Sequence, residues 1–114
     1  VARGLDAAFP NDFAAIAEAM YKAGIRNFGS LGSSLKQIGA GVTSMADALW
    51  NAIDDSNPLD VARGLDAAFP NDFAAIARAM YDVGIRNYGN LRDALFGIGA
   101  ADGQVLSALR FLLL

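Results

Sequence analysis

One stretch of this chain is used twice. Residues 1–27 read VARGLDAAFPNDFAAIAEAMYKAGIRN, and residues 61–87 read VARGLDAAFPNDFAAIARAMYDVGIRN. They differ at three positions, where Glu18, Lys22 and Ala23 give way to Arg78, Asp82 and Val83. Nearly identical stretches must adopt the same local structure. A fixed offset between them marks a repeat architecture, in which each unit buries its apolar face on its neighbours.

The 60-residue period divides further. Phe13, Phe28, Thr43, Pro58, Phe73 and Tyr88 each open a unit fifteen residues after the last. Each unit holds about eleven residues with helical spacing and a short turn. In the stretch 12–23 the stripe is Phe13, Ile16, Ala17 and Met20, with Asn11 as the cap and Gly24 as the stop. Asn27 caps the next helix, whose stripe is Phe28, Leu31, Leu35 and Ile38, ended by Gly39. The helix 42–53 carries Val42, Met45, Leu49 and Ile53. Asn57 followed by Pro58 starts another over 58–69, since proline in the first turn has no N–H to leave unbonded. The second copy repeats the scheme over 71–83, 88–98 and 103–113, and residues 2–9 form a first short helix that stops at Pro10. Period-two alternation is missing and β-branched residues are few, so strands are not expected.

Helices this short are marginal alone in water. They must be stabilised by stacking, and Ala14, Ala15, Ala17, Ala19, Gly29 and Gly32 permit close backbone approach. The expected fold is all-α, a solenoid-like array of about eight short helices. It is built from one repeat over 1–60 and a truncated one over 61–114, joined as one continuous unit. A closed eight-helix globule with an internal pseudo-twofold is the alternative. The period resembles that of helical repeat proteins as a class, without a signature motif that would select one family.

Composition excludes several functions. There is no His and no Cys, which removes the commonest general base, the commonest transition-metal ligand, disulfides and thiolate chemistry. A net charge of −3 argues against nucleic acid as a partner. The oxygen-rich turn 54–57 lacks the spacing of a calcium loop, and the glycines of 24–32 lack the Lys-Ser/Thr and the strand of a phosphate cradle. Arg3 with Asp6, and Arg63 with Asp66, read as surface ion pairs; Arg26 and Arg86 read as partners of carbonyls or carboxylates at the helix turns. Tyr21, Trp50 and Tyr81 read as packing or interface residues. No catalytic residue, cofactor or metal is expected, and no enzyme.

The differences between the copies point instead to assembly. The pair Glu18 and Lys22 recurs with both signs reversed as Arg78 and Asp82, which suits contact between these helices, within or between chains. Lys36 becomes Phe96, Ala46 becomes Leu106, Asn51 becomes Phe111 and Asp54 becomes Leu114, so the second copy is more apolar. The hydrophobic content is 54% and the charged content 18%, against roughly 45–50% and about 25% in ordinary domains. The expected interface comprises Glu18, Lys22, Trp50, Arg78, Asp82, Phe96, Leu106, Phe111, Leu112, Leu113 and Leu114.

The expected function is that of a structural protein whose subunits associate head to tail into a filament or other homopolymer. A peptide-binding fragment of a longer helical repeat protein is the alternative, and a membrane-active helical protein a lesser one, disfavoured by the acidic charge. The start at Val1 rather than Met is expected of a processed product, an excised fragment or an incomplete chain, and processing would suit an extracellular setting.

Overall fold

A computed structural model of the chain describes Gly4 and residues 12–113. Among residues 12–113 seven α-helices follow one another: α1 (Phe13–Lys22), α2 (Phe28–Gln37), α3 (Val42–Asn51), α4 (Pro58–Ala68), α5 (Phe73–Asp82), α6 (Tyr88–Gly97) and α7 (Asp102–Leu109). A 3-10 turn, Arg110–Leu113, extends α7. No strand occurs among the described residues. The expected helix over 2–9, with its Arg3–Asp6 pair, and the cap at Asn11 lie outside them.

The helix starts follow from side chains that bond the first free amides. Asn27, Asn57 and Asn87 accept from the amides of Ser30, Asp60 and Asn90 at 2.9, 2.9 and 3.0 Å. Pro58 sits in the first turn of α4, as expected. The cap of α5 differs from the expected Asn position. Asp72 takes that place, while Asn71 adopts a left-handed conformation (φ 60°) and donates its amide to Asp66 at 3.1 Å. Likewise Asp12 caps α1 by accepting from the amide of Ala15. The turn after Pro70 needs a left-handed residue, and Asn tolerates that conformation better than most. Asp66 is thereby drawn into the turn. Arg63 pairs at 4.0 Å with Asp60 rather than with Asp66.

The stops are as regular as the starts. Gly24 and Gly84 have φ of 110° and 118°, where a side chain would be strained. Around them Ile25 and Ile85 donate back to the carbonyls of Met20 and Met80, at 3.0 and 2.9 Å. This is the Schellman arrangement, with an apolar residue just past the glycine. The same bonding ends α2 and α6.

Each helix packs on the next and on the one after it. The substantial contacts place α1, α3, α5 and α7 in one row and α2, α4 and α6 in another. The body is compact, with a radius of gyration of 13.5 Å, against about 13 Å for a globule of this length. It is nonetheless twice as long as it is wide, at 42 × 23 × 21 Å. One buried cluster runs through it from Ile16 to Leu109. Residues 60 and 61, where the sequence copies meet, lie inside α4, and Val61 and Leu65 of that helix belong to the cluster.

The closest approach is between α2 and α4. A β-carbon at Gly32 would lie 2.0 Å from the carbonyl oxygen of Gly64. A β-carbon at Gly64 would lie 3.0 Å from the carbonyl oxygen of Phe28 and 2.4 Å from Cδ1 of Leu49. Backbone meets backbone here. Lys36 closes the same contact from its far end, donating Nζ to the carbonyl of Ala68 and lying 4.8 Å over the Phe69 ring.

Candidate functional site

The charged residues singled out in the sequence are satisfied on their own helices. Lys22 meets Glu18 at 2.5 Å, and Arg78 meets Asp82 at 3.3 Å, each four residues apart. The hydrogen bond from Lys22 to Glu18, and then the carboxylate's charge, hold the ammonium above the ordinary lysine pKa. Helices α1 and α5 are not among the packed pairs. The expected meeting of these helices within the chain therefore does not occur, because α3 stands between them in the row. Exchanging the signs on one helix alone, Arg78→Glu with Asp82→Lys, is expected to change stability by less than about 0.5 kcal/mol and to leave association untouched. Thermal melting and sedimentation read the two effects. A fall in association would show that these pairs bridge molecules.

The aromatic residues divide. Trp50, Tyr21 and Tyr81 are half-buried against the core. Arg26 stacks on Tyr21 at 4.0 Å and Arg86 on Tyr81 at 4.8 Å, and Arg86 also donates to the carbonyl of Tyr81 at 3.3 Å. Phe111 folds back on its own chain. Its ring meets Tyr81 edge-on at 5.4 Å and receives the Arg78 guanidinium at 5.0 Å. Leu112 is half-buried as well, and Leu109 is wholly buried. The expected exposed apolar end is thus partly folded in. An aromatic ring gains more from Tyr81 and the core than from water. The side chain of Leu113 and all of Leu114 lie outside the described residues.

Among the described residues three large apolar side chains remain exposed: Tyr88 at 37%, Phe96 at 41% and Leu106 at 59%. They are not scattered. Tyr88, Arg92 and Phe96 succeed one another at intervals of four on α6 and so share a face, and Leu106 is on the adjoining α7. Their first-copy counterparts, 60 residues earlier, are Phe28, Lys36 and Ala46. Phe28 is 8% exposed, Ala46 wholly buried, and Lys36 holds the end of α4. Phe28 and Ala46 are therefore buried where Tyr88 and Leu106 are exposed, and Lys36, itself exposed, reaches the end of α4 where Phe96 has no such partner among the described residues. Phe96 and Leu106 are already singled out by the differences between the copies. Those differences miss Tyr88, whose exchange for Phe28 adds one hydroxyl and looks neutral.

Other surfaces offer no convergent chemistry. A groove of about 400 Å³ by Tyr21, Lys22, Arg26 and Asp54 carries both signs of charge along an open wall. At the matching place in the second copy Phe111, the counterpart of Asn51, is packed on Tyr81. No group of three Asp or Glu side chains close enough to hold a metal occurs among the described residues, and no described helix is long and apolar enough to cross a membrane. No family model, curated protein or solved structure matches the chain.

Proposed function

We propose that this is a structural repeat protein that associates with further copies of itself through the α6–α7 face. One observation carries the reading: among the described residues Tyr88 and Leu106 are exposed at positions whose counterparts, Phe28 and Ala46, are buried, and Phe96 stands exposed on the same face as Tyr88, where the first copy has Lys36 bonded to the end of α4. The occupant suited to such a face is another apolar surface of the same repeat, and a second copy offers one. The contact of neighbours only, in two rows along a body 42 Å long, supports a short solenoid with 30-residue helix pairs as its unit. In such an array an end-to-end contact is heterologous, and gives a ring or a filament according to its rotation.

Magnitude limits the strength. Burying a Leu or Phe side chain is worth about 1.5–3 kcal/mol, and association costs several kcal/mol in lost freedom. Three such side chains support a dissociation constant on the order of micromolar or weaker. Phe96→Lys and Leu106→Ala put the first copy's own residues at these positions, and both side chains are exposed, so the fold should tolerate them. Each is expected to weaken association about tenfold in sedimentation velocity over a concentration series, a loss of about 1.4 kcal/mol. Sedimentation as a sharp monomer at high concentration would rule the reading out and favour a helical array completed by other parts of a longer chain.

A further inference from the structure

The uncovered face of α6 differs from the covered face of α2 at the point of closest contact. On α2 the face is Phe28, Gly29, Gly32 and Lys36; on α6 it is Tyr88, Gly89, Arg92 and Phe96. Tyr for Phe keeps the ring, and Gly89 keeps the small site. Arg92 does not keep the gap. Gly32 is where a β-carbon would stand 2.0 Å from the Gly64 carbonyl oxygen, and Arg92 carries that β-carbon with a guanidinium beyond it. The guanidinium is held at the surface by Asp93, 3.3 Å away.

The segment that lies on α2 is VARGLDAA, residues 61–68, and residues 1–8 spell the same VARGLDAA. Every copy thus carries the sequence that fits an α2-type face. We propose that Arg92 bars residues 1–8 of a second copy from docking on α6 as residues 61–68 dock on α2. This rests on the self-association proposed above and concerns its register. Copies then meet through Tyr88, Phe96 and Leu106 in a looser geometry than the internal one. The missing gap acts against one particular partner, the chain's own repeat, which would otherwise extend the array indefinitely.

Two variants of the full chain separate the β-carbon from the charge. Arg92→Gly restores the gap; Arg92→Ala removes the guanidinium and leaves the β-carbon in place. Arg92 is exposed, so neither change opens the core. In sedimentation velocity Arg92→Gly is expected to associate at least tenfold more tightly than the wild type and to form unbranched polymers under the electron microscope. Arg92→Ala is expected to show no such gain. The proposal is overturned if Arg92→Gly does not tighten association, or if Arg92→Ala gains as much. A monomeric wild type beside an assembling Arg92→Gly would refute the self-association reading and sustain the role of Arg92. An associating wild type unchanged by Arg92→Gly would do the reverse.

Discussion

Replacing Gly32 by alanine is expected to destabilise the chain by about 2 kcal/mol, a fall in Tm of roughly 8 °C at about 4 °C per kcal/mol for this size. Two effects oppose each other. Alanine is the better helix former, worth about 1 kcal/mol over glycine in a helix. Against it stands a β-carbon 2.0 Å from the Gly64 carbonyl oxygen. That oxygen belongs to the backbone of α4, so no rotamer change relieves the clash, and α2 and α4 must move apart. Overpacking commonly costs about 1–3 kcal/mol, and a clash with backbone belongs at or beyond the upper end. Gly103→Ala provides the opposite sign. A β-carbon there meets nothing within 4 Å, so a gain of about 0.4–1 kcal/mol is expected. Thermal melts of the two variants at equal concentration check both. A Gly32→Ala chain as stable as the wild type would mean that α2 and α4 are not in contact at these glycines.

Leu49→Ala is expected to cost about 3 kcal/mol, read from the midpoint of denaturant unfolding. Leu49 is wholly buried on α3, with its Cδ1 against Gly64. Truncation removes transfer free energy and leaves a cavity walled by the backbone of α4. Gly64→Ala alone is expected to cost about 1–2 kcal/mol, because its new methyl meets Leu49 Cδ1 at 2.4 Å and the Phe28 carbonyl oxygen at 3.0 Å. Together they should cost about 1 kcal/mol less than their sum, since the methyl enters the space the leucine vacates. Additive losses would show that Leu49 does not cover Gly64. The experiment also tests whether three successive helices, α2, α3 and α4, close around one glycine.

The sequence by itself determined the helices and most of their ends, although Asp72 rather than Asn71 caps α5 and α7 passes into a 3-10 turn at Arg110. Asparagine caps at 27, 57 and 87 and the Schellman glycines at 24 and 84 act within a few residues of chain, and so do the stripes that choose the buried face. The near-identity of 1–27 and 61–87 likewise set the same bounds, ten residues from a phenylalanine, for α1 and α5. Tertiary structure alone decided what those faces meet. It gave Gly32 a partner in Gly64, thirty-two residues on, and made the exchange for Arg92 significant. It folded Phe111 onto Tyr81, where the exchange from Asn51 suggests an interface residue. It left Tyr88 uncovered although its counterpart Phe28 is buried. The physical reason is range. Capping and periodicity depend on bonds among residues up to about five apart, whereas contact between alternate helices depends on distances between segments some thirty residues apart, which local pattern does not specify.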